Sequence, residues 1–281
     1  MSFVFLNING TTQSSNEPLV LADNRAFRYG EGLFETMRLQ NGKIALWDAH
    51  YIRLIKSMKL IGIEPPVHLT KDQLYNQIFK LAEKNRHSFA RIRLTVYRGE
   101  GGIWETPSVP FNYLIQSWAL PESLNRLNEN GLDLGVFTEG RKSCDVFASL
   151  KSNNYLLYLM AANFAKTQKW NECIVLNQHE RIADTTIANL FFIKDGQIYT
   201  PAIEEGGVAG VMRNYLITQF RNSGLKVEEG AYTINDVEQG DEVFLSNAIH
   251  GIKWVKSFRN KSYSCRQTAL LFEQYIKPLF S

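Results

Sequence analysis

The stretch 36–46 does most to constrain the fold. Thr36-Met37-Arg38-Leu39 is strand-like, Asn41-Gly42 follows, and residues 43–46 are strand-like again. Asn-Gly between two such runs is a strong hairpin signal, because both residues accept the positive φ that a tight turn requires. A second short turn, Asp195-Gly196, separates the strand-like runs 187–194 and 197–200. Strands joined by turns this short pair antiparallel, which points to an α+β chain rather than a regular βαβ alternation.

The remaining segments fit that class. Residues 91–97 (RIRLTVY) alternate charged and apolar side chains as a half-buried strand does. Further strands are expected at 2–9, 111–120, 132–138, 172–177 and 242–246. Helices are expected at 49–61, capped by Asp48 and ended before Pro65-Pro66, and at 71–85, 211–223 and 268–279. Another is expected to open at Lys151, where Ser152, Asn153 and Asn154 could cap its start and Leu156, Leu157, Met160, Ala161 and Phe164 form its apolar stripe. The polar stretch 121–131 (PESLNRLNENG) reads as a linker between a small N-terminal domain, 1–120, and a larger C-terminal domain, 132–281.

Composition narrows the function. A net charge of +3 without a dense Lys/Arg block gives no reason to expect nucleic acid or an anionic membrane as partner. Three scattered cysteines, Cys144, Cys173 and Cys265, argue against a disulfide framework or a structural zinc site. The five histidines show no metal-binding spacing, so no metal is expected. No stretch approaches the roughly 20 apolar residues of a membrane helix, and the first fifteen residues lack the basic segment of a signal peptide. The expected location is the cytoplasm.

Four features could carry chemistry. Lys151 stands at an element boundary. Asp184, followed by Thr185 and Thr186, enters an apolar strand-like run. Gly210-Val211-Met212-Arg213 follows a glycine-rich loop and opens a helix, where free backbone N–H groups can hold an anion, although the spacing is not that of a nucleotide P-loop. Arg53 lies on the first long helix, three residues after His50. Taken singly, each has an ordinary structural explanation: a surface lysine, a turn aspartate, a glycine turn and a solvated arginine.

In order and at these separations, the features resemble one family. The matching stretches are Phe27-Arg28-Tyr29-Gly30-Glu31-Gly32-Leu33-Phe34-Glu35, His50-Tyr51-Ile52-Arg53-Leu54, Arg98-Gly99-Glu100-Gly101-Gly102 and Lys151-Ser152-Asn153-Asn154-Tyr155. Then come Ile182-Ala183-Asp184-Thr185-Thr186, Gly210-Val211-Met212-Arg213 and Phe244-Leu245-Ser246-Asn247-Ala248. The chain resembles the class IV aminotransferases, the fold-type IV pyridoxal-phosphate enzymes. These include branched-chain aminotransferases, D-amino acid aminotransferases and 4-amino-4-deoxychorismate lyases.

The resemblance implies a two-domain α+β fold of the D-amino acid aminotransferase type. A smaller N-terminal α/β domain would precede a larger, β-barrel-like C-terminal domain. It implies pyridoxal 5′-phosphate as cofactor and Lys151 as the catalytic residue that bonds to it covalently. It implies Arg53, Val211 and Met212 around the cofactor phosphate, Asp184 facing the pyridine nitrogen, and Thr185 and Asn247 beside the cofactor. Relatives usually carry glutamate at the Asp184 position and often threonine at the Met212 and Asn247 positions, so three contacts differ here. Tyr29, Phe34, Arg98 and Trp104 are candidates for lining the substrate pocket, with Arg98 as a carboxylate partner. The loop 101–107 has neither the arginine and histidine of the D-amino acid enzymes nor the arginine frequent in the lyases. The stretches 210–213, 247–248 and 262–279 look more lyase-like. The expected activity is transamination between an amino acid, of branched-chain type, and a 2-oxo acid. The alternative is a lyase converting 4-amino-4-deoxychorismate to 4-aminobenzoate and pyruvate. The family's site commonly lies between domains and near a dimer contact, so a homodimer is expected.

Overall fold

The computed structural model describes residues 4–66, 69–104 and 111–281. They form two compact units. Unit 1 comprises Met1–Glu122 together with Lys151–Asn154, and unit 2 comprises Ser123–Leu150 and Tyr155–Ser281. Among the described residues no helix is long and apolar enough to cross a membrane.

Unit 1 runs β1 (Phe5–Ile8), β2 (Thr11–Ser14), α1 (Arg25–Tyr29), β3 (Gly32–Gln40), β4 (Lys43–Ile44), α2 (Trp47–Leu60), α3 (Lys71–Lys84), β5 (Ala90–Arg98) and β6 (Phe111–Ala119). The six strands form one antiparallel sheet in the order β2-β1-β6-β5-β3-β4. The Asn41-Gly42 turn joins β3 to β4 with both residues at positive φ, as the hairpin signal requires. Side chains alternate across β3, so Leu33, Glu35, Met37 and Leu39 share one face, which is buried. Their partners Val96, Leu94 and Ile92 on β5 are buried as well. Leu54 and Met58 of α2 and Leu74, Ile78 and Leu81 of α3 belong to the same buried core of the unit. Thr70 begins α3 with a capping box, its hydroxyl accepting from Gln73 N while the Gln73 side chain accepts from Thr70 N.

Unit 2 runs β7 (Leu132–Lys142), α4 (Leu156–Thr167), β8 (Glu172–Asn177), β9 (Ile182–Thr185), β10 (Asn189–Lys194) and β11 (Gln197–Pro201). It continues with α5 (Val211–Asn222), β12 (Val227–Gly230), α6 (Ile234–Gln239), β13 (Glu242–Asn247), β14 (Gly251–Phe258), β15 (Lys261–Ser262) and α7 (Arg266–Leu271). Its sheet follows the path β12-β11-β10-β13-β14-β7-β8-β9, with β15 on β14. The far end curls back, and Ile182 N at the start of β9 donates to Tyr232 O just past β12 (2.8 Å). Leu190, Phe192, Val243, Leu245 and Val255 fill one face of the curl. Tyr158, Ala161 and Ala165 of α4 pack on Phe137, Cys173 and Val175 of β7 and β8. Period two separates Cys173 and Val175, which meet α4, from Ile174 and Leu176, which face the curl.

Several elements differ from the sequence expectation, each for a local reason. The helix expected at Lys151 begins instead at Leu156, and Tyr155 at its N-cap makes no side-chain capping bond. Residues 151–153 are extended along β3. Asp48 does not cap α2 but lies in its first turn, where it accepts from Lys71 Nζ (2.6 Å). The run 187–194 is a strand only from Asn189. A separate strand, β9, precedes it, and in the turn between them Thr185 N and Oγ1 both donate to Ala188 O (2.9 Å each). Strand β14 escaped sequence reading because a bulge near Val255 makes its buried residues Ile252, Val255 and Phe258 recur every third position. The C-terminal helix breaks into α7, a π-turn (Phe272–Ile276) and a 3₁₀ turn (Pro278–Phe280), the last opened by Pro278, which has no N–H to give. Residues 105–107 of the expected substrate loop lie outside the described residues.

Gly32 lies where the chain has no room for a side chain. A Cβ there would lie 2.4 Å from Asn153 Nδ2 and 2.9 Å from the Val96 carbonyl oxygen. Gly32→Ala is therefore expected to cost about 1–3 kcal/mol through overpacking, measured as a lower urea midpoint with an unchanged slope.

Candidate active site

Lys151 is positioned by β3. The outer edge of β3 is covered by β4 only at Leu39 and Gln40. Along residues 32–34 that edge is taken by the lysine segment, with Phe34 N donating to Lys151 O (2.9 Å), Asn153 N donating to Gly32 O (2.9 Å), and Ser152 bridging Leu33 antiparallel. Residues opposite one another in an antiparallel pair share a face. Lys151 thus lies over Phe34, its Nζ 4.6 Å from the ring centroid. The Arg93 guanidinium of β5 lies 3.7 Å from the same centroid. The Phe34 ring is buried, at 4% exposure, so it presents two cations with a π face in an apolar setting.

On the opposite face of β3, Glu35 is buried among Leu33 and Met37. Its Oε1 accepts from Arg53 Nε (2.8 Å), and its Oε2 meets His50 Nδ1 (2.6 Å) and accepts from Arg53 Nη2. Burial alone would raise the Glu35 carboxyl, but the Arg53 charge and the bonds from His50 and Arg53 outweigh it and bring it down to about 2. His50 is fully buried and pushed below its ordinary value, by burial foremost, with the Arg53 and Lys151 charges acting in the same direction and Glu35 opposing them.

The other sequence candidates in unit 1 are placed as follows. Arg98 makes an ion pair with Glu31 (2.8 Å), and its Nη2 donates to the carbonyls of Ile61 (3.2 Å) and Gly62 (2.5 Å). Glu31 also holds Arg25. Arg98 is thereby engaged in bracing β5 against the end of α2. Tyr29 ends α1 beneath the guanidinium groups of Arg25 and Arg28. Trp104 is 91% exposed.

In unit 2, Asp184 pairs with Val175 across β8 and β9, which turns it toward α4. It is 2% exposed. Tyr158 of α4 donates its hydroxyl to Asp184 Oδ2 (2.8 Å), and Val208 N donates to the same oxygen (3.0 Å). Lys142 Nζ donates to the Tyr158 hydroxyl and to Ala148 O (2.7 Å). Burial pushes Lys142 down and, with the Asp184 charge, pushes Tyr158 well above the usual phenol range. The three form a cation–phenol–carboxylate series, with the phenol and the carboxylate buried and the lysine half-buried.

Helix α5 begins at Val211 with Gly210 as N-cap and no side-chain capping bond, which leaves the N–H groups of its first turn uncapped by any side chain. Gly210 is required by space, since a Cβ would fall 2.0 Å from Asn189 Oδ1, which belongs to the amide that donates to Val208 O (2.9 Å). Val211 and Met212 are buried. Thr185 is engaged with Ala188, as described above. Asn247 closes a turn, its Oδ1 accepting from Ile249 N (3.0 Å) and His250 N (2.9 Å) and its Nδ2 donating to Ile187 O (3.4 Å).

Sequence reasoning missed Glu35, Arg93, Tyr158 and Lys142. A signal existed for Glu35, because period two along 33–39 puts a carboxylate on the apolar face of its strand, where it must find a partner. Tyr158 and Lys142 lie on separate elements, and no spacing joins them to Asp184.

With the geometry in hand, comparison with known proteins gives a consistent result. A profile described as amino-transferase class IV matches residues 32–258. The aminodeoxychorismate lyase of Vibrio harveyi is 28% identical over 247 residues, covering 87% of this chain and 88% of its own. The crystal structure of the Escherichia coli branched-chain amino acid aminotransferase superposes with a TM-score of 0.89 at 23% identity, covering 100% of this chain and 95% of the other. The branched-chain aminotransferase of the thermophilic archaeon Thermoproteus uzoniensis, solved with norvaline, superposes at 0.89 with 22% identity, covering 99% and 95%. The protein belongs to the class IV aminotransferase family and has its two-domain α+β fold. Members of that family are pyridoxal-phosphate enzymes, both aminotransferases and aminodeoxychorismate lyases.

Two outcomes follow from the buried carboxylates. Tyr158→Phe removes a donor from Asp184 and is expected to cost about 1–3 kcal/mol of unfolding free energy in denaturant titration. Glu35 has its folded value depressed to about 2 from 4.5, so its stabilising contribution is full above about pH 4.5 and is lost as pH falls toward 2. Thermal melts across that window should show Glu35→Gln with a shallower acid dependence than the unsubstituted protein.

Proposed function

We propose that this protein is a pyridoxal-phosphate-dependent transaminase that moves an amino group between a small amino acid, of branched-chain type, and a 2-oxo acid, with Lys151 as the residue joined to the cofactor. The observation that carries this reading is the Lys151 segment. Its backbone is paired to β3, and its ammonium is set on a buried ring beside a second cation. A lysine held in this way is suited to covalent catalysis, which needs a fixed amine near cationic and apolar neighbours.

The chain's residues fit the cofactor by their chemistry. An amine (Lys151), a guanidinium held by a buried carboxylate (Arg53), an uncapped helix N-terminus (Val211, Met212) and a buried carboxylate (Asp184) are the functions that an aldehyde, a phosphate ester and a pyridine nitrogen call for. When bound, pyridoxal phosphate supplies a ring that withdraws negative charge from the substrate carbon. Lys151 would take the proton from the substrate Cα and return it on the cofactor side. Asp184, held by Tyr158 and Val208 N, would keep a proton at the ring nitrogen. Thr185 and Asn247 would shape the surroundings through the turns they close. Among the pocket candidates, Phe34 would present its ring, and Tyr29 and Trp104 would supply aromatic surface. Arg98, which pairs with Glu31 and donates to two carbonyls, and Arg93, whose guanidinium lies over the Phe34 ring, are the candidate cations for a substrate carboxylate. The absence of arginine and histidine from the sequence 101–107 speaks against D-amino acids. The reading carries with it a homodimer and a cytoplasmic location.

The similarity to the Vibrio harveyi lyase over most of both chains favours a second reading, conversion of 4-amino-4-deoxychorismate to 4-aminobenzoate and pyruvate. The same lysine serves both, so the discriminating experiment is an assay of products. Adding pyridoxal phosphate to the purified protein should produce a visible absorbance band that Lys151→Ala abolishes. Incubation with a branched-chain amino acid and 2-oxoglutarate should then yield glutamate. Pyruvate formed from aminodeoxychorismate with no glutamate in the first assay would replace the first reading with the second. A band unchanged in Lys151→Ala would remove both.

A further inference from the structure

The proposed roles leave the buried Glu35 of unit 1 without a task. It is 2% exposed and holds three polar contacts. The geometry of those contacts is directional. Arg53 presents its Nε and Nη2 edge to both oxygens of the carboxylate, a side-on bidentate pairing that fixes the plane of the guanidinium. His50, one helical turn before Arg53 on α2, meets Oε2 from the other side through Nδ1. The carboxylate is therefore held against rotation by two residues of one helix, and it in turn sets the direction of the guanidinium. The Arg53 side chain is 14% exposed and that of Glu35 3%, so the guanidinium reaches the edge of the core while its anchor does not.

An arginine on a flexible stem binds a phosphate loosely, because it must be ordered on binding, whereas a pre-oriented planar fork loses less freedom per bond formed. We propose that Glu35, locked by His50, is a positioning residue that fixes the Arg53 guanidinium for a phosphate monoester, and that this pair sets the preference for phosphorylated over unphosphorylated cofactor. The inference rests on the reading that the protein binds pyridoxal phosphate through Arg53. It adds two residues to the phosphate end and a selectivity that follows from them.

The test compares two ligands differing only in the phosphate. Apoprotein is titrated by calorimetry with pyridoxal phosphate and with pyridoxal, for the unsubstituted protein, Glu35→Gln, His50→Leu and His50→Asn. Glu35→Gln and His50→Leu should weaken pyridoxal phosphate by about ten-fold or more, the scale of one charge-assisted contact, and leave pyridoxal unchanged. His50→Asn, which keeps an N–H donor near the Nδ1 position, should recover most of the loss. Equal weakening of both ligands would mean that Glu35 supports the fold alone and would overturn the proposal, as would no weakening of either. If Glu35→Gln does not fold, the two His50 variants decide by the same criterion. Unsubstituted protein that binds neither ligand would remove the cofactor reading itself. Unsubstituted protein that binds both ligands equally would leave that reading standing and remove the positioning role.

Discussion

A carboxylate taken out of water must be met by donors or it will not stay ionised, and each unit of this protein holds such a group where a helix packs on a strand. In unit 1 the group is Glu35, whose partners His50 and Arg53 fix the azimuth of α2 on β3. In unit 2 it is Asp184, whose partners Tyr158 and Val208 N tie α4 and the loop before α5 to β9. Removing one partner of a buried ion pair such as Glu35–Arg53 costs about 3–5 kcal/mol. The helices can therefore slide only at the expense of a buried charge. This is why the residues assigned to the cofactor sit on elements whose register is set by polar bonds as well as by apolar packing.

Much of the fold was legible in the sequence. Asn41-Gly42, Asp195-Gly196 and the alternation of 91–97 specify hairpins and half-buried strands through local sterics and period two, which need no knowledge of the rest of the chain. What was not legible depends on distant partners. The stretch 151–154 looks like a helix cap because serine and asparagine favour caps, but the open edge of β3, far earlier in the chain, offers backbone bonds that a cap does not. Strand β14 hides because its bulge breaks the alternation by which strands are recognised.

The site divides in the same way. Lys151, Arg53, Asp184 and the start of α5 are candidates by their order in the chain, whereas the groups that hold them in the structure are not signalled there. Tyr158 lies outside the apolar stripe read from the sequence, and its hydroxyl acquires meaning only once β9 is seen to face α4. Arg98 shows the converse. An arginine before a glycine-rich loop suggests a substrate contact, while its ion pair with Glu31 and its bonds to the carbonyls of Ile61 and Gly62 make a brace.

The placement of Lys151–Asn154 in unit 1 has a consequence for how the chain matures. The first 122 residues contain every named strand and helix of unit 1, yet they leave the edge of β3 at 32–34 uncovered. That edge is closed only when residues 151–153 arrive, after β7 of unit 2 has already been made. During synthesis on the ribosome, the nascent N-terminal half therefore exposes a short unpaired strand edge for the interval in which some thirty further residues are added, at roughly 5–20 residues per second. The segment that closes it carries the lysine, so completion of the unit and placement of its amine are one event.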